Sequence, residues 1–287
     1  MKLIDGKLVS ENVYLLIKDR IQTLKENNII PGLAVVLIGD RTDSQTYVRM
    51  KQKKCEELGI KSILVKLDTD ISEDDVINNI IKLNQDISIH GILVQLPLPK
   101  HLDESKILSQ ISLEKDVDGF HCENIGKLAL NKNPTFIPCT PNGCMELLHF
   151  YNIDLAGKHV VILGRSNIVG LPLSLLLLHQ NATVTICHSK TKDIKKITQT
   201  ADILIAACGK MEIVKKDWLK PGVDIIDIGI NTKTDLSKKR GYKLVGDVDF
   251  EDVKDVVNYI TPVPGGVGPM TIATLMYQTV ESASQML

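Results

Sequence analysis

The chain has 287 residues, of which 44% are apolar and 24% are charged, with 34 Lys and Arg against 35 Asp and Glu. At about 100–200 residues per domain, this length indicates two domains. The near-zero net charge gives no broad attraction to phosphate backbones or anionic lipids, so we expect no nucleic-acid partner and no membrane partner. A small-molecule partner is favoured.

The six cysteines form neither a CxxC pair nor the dense spacing of a disulfide framework. The N-terminus lacks the apolar core of a signal peptide, and no apolar run approaches the roughly 20 residues that a membrane span needs. We therefore expect reduced thiols, no metal site and a cytoplasmic location.

Short apolar runs rich in β-branched residues alternate with helix-length segments along the whole chain. Continuous apolar runs of this kind are typical of parallel strands that are buried on both faces. The fold class is therefore predicted to be α/β. The predicted strands are 33–38, 63–67, 91–95, 160–163, 183–187, 203–206 and 223–228.

Three helices are predicted in the first half of the chain. Ser10 begins a stretch with apolar residues at three- and four-residue intervals, among them Leu16, and Ser72 lies three residues before Asp75 in a capping-box pattern. A third helix, from 43 to 58, would place two functional side chains, discussed below, on one face.

A domain boundary is predicted near Thr140. Thr140 has the character of a helix N-cap, and Pro141 would occupy the first helical position, where proline loses nothing. We predict an N-terminal α/β domain, 1–140, and a Rossmann-like parallel-sheet domain, 141–270. The last helix is predicted from Thr271 to about 285, after a run of prolines and glycines that we expect to be irregular.

A strand, a glycine turn and a helix follow one another between 158 and 178. Gly164 directly follows the strand and Gly170 opens the helix, so backbone N–H groups and the helix N-terminus can approach a pyrophosphate. Arg165 and Ser166 occupy the turn, and the GxGxxG pattern is therefore incomplete. A tight turn that binds nothing is the alternative.

The residues after the next strand favour NADP over NAD. An NAD site usually has an acid at the end of this strand, whereas the first acid here is Asp193. Arg165 offers a planar fork for phosphate oxygens, and Ser189 offers a hydroxyl donor. For Ser189 the alternative is a helix N-cap, and NAD is not excluded.

Two further loops at strand ends are candidates for contact with the cofactor. Cys208 and Gly209 follow one predicted strand, and Ile230 follows the next. Ligands bind on this side of open parallel sheets, and small residues let a flat ring lie against the backbone. The alternative is a loop without a ligand.

Several unusual residues lie outside the dinucleotide region. Tyr47 and Lys51 are four residues apart, Gln95 ends a buried strand before a proline-rich loop, and Asp118 lies in a turn. Gln95 is difficult to explain by packing. A surface pair on a lysine-rich helix is the alternative for Tyr47 and Lys51, and a turn with Gly119 is the alternative for Asp118.

Nine motifs carry a resemblance to one family over essentially the whole chain. With them the chain resembles the bifunctional methylenetetrahydrofolate dehydrogenase/methenyltetrahydrofolate cyclohydrolase family. The motifs are Ser44-x-x-Tyr47-x-x-x-Lys51, GILVQLPLP (91–99), DVDGF (116–120), PCTPNG (138–143), GRSNIVG (164–170), CHSKT (187–191), DIGIN (227–231), GDVDF (246–250) and PGGVGPMT (264–271).

The resemblance implies a catalytic, folate-binding domain over 1–140, completed by the helix 271–287, an NADP-binding domain over 141–270, and a homodimer. The implied substrates are tetrahydrofolate derivatives. The implied substrate-binding residues are Tyr47, Lys51, Gln95, Leu96, Asp118, Pro264, Gly265 and Gly266. The implied cofactor-binding residues are Thr140, Gly164, Arg165, Ser166, Ser189, Cys208, Gly209 and Ile230.

The catalytic roles implied by the resemblance fall to four residues. Lys51 is the general acid/base of the cyclohydrolase step, and Gln95 holds its amine and favours the neutral form. Tyr47 stacks on the aminobenzoyl ring, and Asp118 binds the pterin. The chain departs from the family at 41–43, where Arg-Thr-Asp precedes Ser44, and at Leu171, where many members carry arginine.

Two other functions are weighed against this one. A different two-domain NADP dehydrogenase, of the shikimate or amino-acid type, would share the order of strands and helices. It does not explain Gln95 beside Pro97 or the glycines 265–266. A catalytically silent NADP-binding module is the second alternative, and a turnover assay distinguishes it from an enzyme.

Overall fold

The computed structural model describes residues 1–238 and 241–287. Its strands are β1 (Lys2–Leu3), β2 (Gly32–Ile38), β3 (Lys61–Leu67), β4 (Gly91–Val94), β5 (His159–Leu163), β6 (Thr183–Cys187), β7 (Ile203–Ala206), β8 (Asp224–Asp227), β9 (Asn231–Thr234), β10 (Tyr242–Val245) and β11 (Tyr259–Ile260). Its α-helices are α1 (Gly6–Glu26), α2 (Thr42–Leu58), α3 (Glu73–Gln85), α4 (Glu104–Leu108), α5 (Cys122–Ala129), α6 (Cys139–Phe150), α7 (Gly170–His179), α8 (Ile194–Thr198), α9 (Phe250–Val253) and α10 (Val267–Ser284).

The chain divides into two compact units. One comprises residues 12–139 and 272–287, and we call it the three-stranded unit after its sheet. The other comprises residues 1–11 and 140–271, and we call it the six-stranded unit. The assignment of folate binding to 1–140 with 271–287, and of NADP binding to 141–270, stays a prediction.

The sheet of the three-stranded unit has the order β3-β2-β4, with all strands parallel. Every residue of β2 is buried, and its side chains alternate between two apolar clusters. Leu33, Val35 and Leu37 pack in the cluster that includes residues of α1 and α10. Ala34, Val36 and Ile38 pack in the cluster that includes residues of α3 and α4. Each of the Leu, Val and Ile side chains contributes about 1.5–3 kcal/mol when it is fully buried.

The sheet of the six-stranded unit has the order β1-β11-β8-β7-β5-β6, and each neighbouring pair is parallel. The central strand β7 is buried along its whole length. A separate antiparallel hairpin joins β9 and β10. The predicted α/β class with parallel sheets is confirmed, and each of the seven predicted runs forms a strand.

Three of the predicted helix starts are wrong, those of α1, α10 and α6. α1 begins at Gly6 rather than Ser10, because Asp5 Oδ1 accepts hydrogen bonds from the backbone N–H groups of Lys7 (2.9 Å) and Leu8 (3.2 Å). Leu16, which was predicted to lie on the apolar face, is 59% exposed, because the buried face of α1 is formed by Tyr14, Ile17 and Ile21.

Helix α10 also begins earlier than predicted. This helix begins at Val267, so the end of the proline–glycine run is helical. Pro269 lies in the first turn, where its missing N–H costs no hydrogen bond. By contrast, the predicted capping box at α3 is confirmed, since Ser72 Oγ accepts from the Asp75 N–H at 3.2 Å.

The predicted N-cap at Thr140 is also wrong. α6 begins at Cys139, and the hydroxyl of Thr140 lies 3.0 Å from that of Thr271, within the six-stranded unit. In the described part of the chain no helix is long and apolar enough to cross a membrane. Among the same residues, no group of three or more His, Cys, Asp or Glu side chains is arranged to hold a metal ion.

Candidate active site

The amine of Lys51 lies inside the three-stranded unit. Helix α2 carries Lys51, whose residue surface is 8% exposed, and its Nζ donates to Gln95 Oε1 at 3.0 Å. Gln95 follows β4, and its backbone N–H continues the ladder by donating to Val36 O at 2.9 Å. Its Nε2 donates to Leu96 O at 2.9 Å, which fixes the amide orientation. The structure therefore brings together two of the four predicted catalytic residues by direct contact.

The protonation of Lys51 is governed by burial more than by Gln95. Burial lowers the pKa of Lys51, and the charge of Asp118 opposes that shift. We expected Gln95 to favour the neutral amine, but its carbonyl oxygen accepts the bond, and an acceptor stabilises the ammonium form. Gln95 thus holds the amine in place, and desolvation supplies the bias toward the neutral form.

Asp118 lies in a tight turn close enough to Lys51 for the two charges to interact. Burial raises the pKa of Asp118, while Lys51 and a hydrogen bond from Cys139 lower it. The turn closes with the Gly119 N–H donating to Asp116 O at 2.8 Å, and Gly119 has a φ of 76°. A Cβ there would lie 2.5 Å from the carbonyl carbon of Ile137.

Cys139 is a site residue that sequence reasoning missed. Its thiol donates to Val117 O at 3.2 Å, and burial raises the pKa of Cys139 well above its ordinary value, so it stays a neutral thiol beside Asp118. The motif PCTPNG contains this residue, but we interpreted that motif as a helix start and as part of the family resemblance, and assigned no role to Cys139.

Gln278 supports the turn that carries Asp118, and sequence reasoning missed it as well. Its Nε2 donates to Val117 O (2.7 Å) and to Ile137 O (3.0 Å), and its Oε1 accepts from the Ile137 N–H (3.1 Å). Gln278 lies 161 positions from Val117 in the chain. No local pattern in the sequence connects these two positions.

A buried carboxylate holds the other side of the same turn. Asp116 accepts from the backbone N–H groups of Phe120 (3.2 Å) and His121 (2.8 Å) and from Asn124 Nδ2 (2.8 Å). Burial raises the pKa of Asp116 to about 7. The first Asp of the DVDGF motif is thus structural, and the second is the one placed near Lys51.

Tyr47 and Leu96 are half-buried members of the same unit. Tyr47 lies one helical turn before Lys51 on α2, and burial raises the pKa of its hydroxyl. The departure at 41–43 forms an exposed ion pair, Arg41 Nη2 to Asp43 Oδ2 at 2.7 Å, at the start of α2.

Three predicted folate-binding residues, 264–266, belong to the six-stranded unit. Pro264 is exposed, and Gly265 has a φ of 114°. Gly265 O accepts from the Gly6 N–H at 3.0 Å, and the Gly266 N–H donates to Pro262 O at 2.8 Å. Their role in folate binding stays a prediction.

The predicted pyrophosphate turn lies between β5 and α7. Gly164 has a φ of 126°, and a Cβ there would lie 2.1 Å from Ala207 O. A Cβ at Gly170 would lie 2.3 Å from Gly164 O. Only glycine fits at both positions, so this backbone cradle depends on them.

The predicted polar cofactor residues Arg165, Ser166 and Ser189 are all exposed. Arg165 and Ser189 are therefore accessible to a ligand. Ser166 Oγ accepts from the N–H groups of Val169 (3.2 Å) and Gly170 (3.4 Å), so it caps the start of α7. Leu171, the second departure from the family, is half-buried in the first turn of α7.

The loops after β7 and β8 hold the remaining predicted cofactor residues. Ile230 is 44% exposed. The backbone N–H groups of Cys208 and Gly209 both donate to Asp247 Oδ2, at 2.7 and 2.8 Å. Burial raises the pKa of the Cys208 thiol to about 12, so it is protonated at neutral pH.

Comparison with known proteins assigns most of the chain to one family. Residues 4–118 match the family model for the catalytic domain of tetrahydrofolate dehydrogenase/cyclohydrolase, and residues 138–287 match the model for its NAD(P)-binding domain. The chain belongs to the tetrahydrofolate dehydrogenase/cyclohydrolase family. The family predicted from the nine motifs is therefore confirmed.

Individual members of the tetrahydrofolate dehydrogenase/cyclohydrolase family match almost the whole chain. Bifunctional protein FolD 4, chloroplastic, of Arabidopsis thaliana is 54% identical over 98% of this chain and 79% of that protein. The crystal structure of the bifunctional enzyme FolD from Campylobacter jejuni has a TM-score of 0.94 at 50% identity and covers 100% of both chains. The Trypanosoma brucei enzyme, complexed with NADP cofactor and inhibitor, has a TM-score of 0.95 at 39% identity, over 99% of this chain and 97% of that one.

Proposed function

We propose that this protein oxidises 5,10-methylenetetrahydrofolate to 5,10-methenyltetrahydrofolate with NADP and hydrolyses the product to 10-formyltetrahydrofolate. The observation that carries the proposal is the buried amine of Lys51, held by Gln95 and close to Asp118, in a chain of this family. Burying a lysine amine costs free energy, and the Gln95 acceptor and the nearby Asp118 carboxylate offset part of that cost while leaving the amine poised between its two protonation states.

In the oxidation, a hydride leaves the methylene carbon that bridges two nitrogens of tetrahydrofolate. These nitrogens stabilise the resulting amidinium cation, so no protein base is needed. When bound, NADP supplies the nicotinamide ring that accepts the hydride. The contribution of the chain is to position the reactants. The glycine cradle at Gly164 and Gly170 fits a pyrophosphate, and exposed Arg165 and Ser189 suit a 2′-phosphate.

In the hydrolysis, water adds to the amidinium carbon and the ring opens. Lys51 in its neutral form takes a proton from the attacking water and returns one to the departing ring nitrogen. A cationic intermediate next to the amine would lower its pKa further. Asp118 accepts hydrogen bonds from the pterin, Tyr47 stacks on the aminobenzoyl ring, and Leu96 lines the folate.

Two further properties belong to the same proposal. The resemblance supports a homodimer, which light scattering on a gel-filtration column would test through the molar mass. A cytoplasmic location is supported by the reduced cysteines, all six of which are free thiols in the structure. Fractionation of cells that express the native protein would test the location.

The decisive experiment is a spectrophotometric assay with 5,10-methylenetetrahydrofolate, run in parallel with NADP and NAD. We expect reduction of NADP and decay of the methenyl absorbance faster than the uncatalysed rate. Reduction of NAD alone would overturn the choice of cofactor. A folded protein that binds NADPH without turnover would overturn the enzymatic proposal and support the silent module.

A further inference from the structure

Two buried carboxylates lie at the carboxyl end of the six-stranded sheet and have no part in the chemistry above. Asp247 is 0% exposed and Asp227 is 3% exposed. Within residues 1–238 and 241–287, no ion pair involves either of them. Buried carboxylates without a cation need several hydrogen-bond donors, and here the donors are chiefly backbone N–H groups.

Asp247 joins the loops that follow two neighbouring strands. Its Oδ2 accepts from the N–H groups of Cys208 (2.7 Å) and Gly209 (2.8 Å), directly after β7. Its Oδ1 accepts from Asn231 Nδ2 at 3.0 Å, and Asn231, the first residue of β9, directly follows Ile230 in the loop after β8. The Asp247 carboxylate thus fixes the turn that carries Cys208 and Gly209, two of the predicted cofactor residues. It also fixes Asn231, the neighbour of a third, Ile230.

Asp227 fixes Asp247 in turn. Its Oδ1 accepts from the N–H groups of Gly229 and Asp247, both at 3.0 Å, and its Oδ2 accepts from the Val248 N–H at 2.9 Å. A Cβ at Gly246 would lie 1.8 Å from Asp227 Oδ2, and a Cβ at Gly229 would lie 2.3 Å from Asp247 Oδ1. The glycines of both motifs are therefore needed to admit the two carboxylates.

We propose that Asp247 is a positioning residue for NADP, which acts by holding the Cys208–Gly209 turn and the loop at Ile230 in their binding conformation. The proposal rests on the proposed function, since it takes these loops to bind the cofactor. On this proposal Asp247 acts through the loops and not by contact with the cofactor, because its side chain is 0% exposed.

An asparagine at this position has the size of the aspartate but the wrong set of hydrogen-bond groups. The carboxylate only accepts, and three donors converge on it. Asparagine places its NH₂ group against one of these donors in either amide orientation, which leaves buried donors facing each other. The turn must then shift, while the packing volume is unchanged.

The experiment compares Asp247→Asn with the wild type and with Asp255→Asn, a matched change at an exposed aspartate. We expect the KM for NADP and the dissociation constant for NADPH, from fluorescence titration, to rise about 10- to 100-fold in Asp247→Asn. The cyclohydrolase rate on 5,10-methenyltetrahydrofolate without NADP should stay within about twofold of wild type. Asp255→Asn should match wild type in both assays.

Three outcomes would overturn the proposal: an unchanged NADPH dissociation constant in Asp247→Asn, an equal loss of both activities, or the same loss in Asp255→Asn. If Asp247→Asn does not fold, Asn231→Ala removes a single donor, and we then expect about a threefold rise in the dissociation constant. An unchanged NADPH dissociation constant in Asn231→Ala would also overturn the proposal. Failure of the wild type to bind NADPH would instead refute the proposed function.

Discussion

The two units place the cations of their predicted sites in opposite ways. In the three-stranded unit, Lys51 is itself buried and its functional amine lies close to Asp118. In the six-stranded unit, Arg165 is exposed, while the buried charges of Asp227 and Asp247 face backbone N–H groups. On the proposed function, reactivity in the first unit depends on side chains with shifted pKa values. On the same proposal, cofactor binding in the second unit depends on a backbone shape that buried carboxylates maintain.

The largest expected effect tests the side-chain half of this comparison. Lys51→Met keeps the length of the side chain and removes the amine. We expect the cyclohydrolase rate to fall about 10²- to 10⁴-fold, because only that step uses a proton shuttle. The dehydrogenase should keep a measurable fraction of its activity. Both rates are followed in one assay through the reduced cofactor and the methenyl product.

The matched control for this variant is Lys53→Met, on the same helix, where the side chain is 77% exposed. It should leave both rates unchanged. Equal loss of the two activities in Lys51→Met would contradict the division of roles, since it would show that the amine serves positioning as well as proton transfer.

The next effect tests the exposed half of the dinucleotide site. Arg165→Ala should raise the KM for NADP about 10- to 100-fold, because a guanidinium contact with a phosphate is charge-assisted. The KM for NAD, which lacks the 2′-phosphate, should change little. A parallel rise for both cofactors would place Arg165 elsewhere on the dinucleotide, and no rise would remove it from the site.

A smaller effect is expected from the support of the Asp118 turn. Gln278→Met removes three hydrogen bonds to the backbone of Val117 and Ile137 at nearly constant volume. We expect the KM for the folate substrate to rise about 10-fold, with an unchanged NADPH dissociation constant. The exposed Gln285→Met is the control. A change in NADPH binding would contradict the view that Gln278 supports only the Asp118 turn and that Asp247 supports the cofactor loops.

The fold was predictable from the sequence where burial alone decides the pattern. β2 is apolar at every position because both faces are covered, and this produced a clear signal. Helix starts were less predictable because competing caps lie close together. Asp5 rather than Ser10 caps α1, and the helix at α10 extends back to Val267 across a proline that the first turn tolerates.

The site was predictable only in part. Gln95 could be singled out because a polar residue that ends a buried strand contradicts the local pattern. Gln278 and Asp247 could not, because their partners are backbone groups of distant segments and a glutamine in a helix or an aspartate in a loop is locally ordinary. Support of this kind depends on tertiary proximity, which a single sequence does not carry.

The smallest effect concerns the pH dependence of stability, to which each unit contributes one buried carboxyl. Burial raises the pKa of Asp116 and that of Asp227 from 3.8 to about 7. Between about pH 4 and pH 7, each of these carboxyl groups is protonated in the folded state and ionised in the unfolded state. The stabilisation is complete below about pH 4 and is lost as the pH rises through about 7.

Urea unfolding at about pH 6 and 7 measures this loss, which should be about 1 kcal/mol for each carboxyl over that interval. Paired surface carboxylates such as Glu73 and Asp202 have lowered pKa values and act only at more acidic pH, so they do not obscure it. Asp116→Asn and Asp227→Asn each remove one titrating carboxyl. In each variant the free energy of unfolding should therefore fall by about 1 kcal/mol less between pH 6 and 7 than in the wild type. If both variants lose stability with pH as steeply as the wild type, the backbone donors keep both carboxyl groups ionised in the folded protein. The buried carboxylates of the two units would then differ only in the loops that they hold.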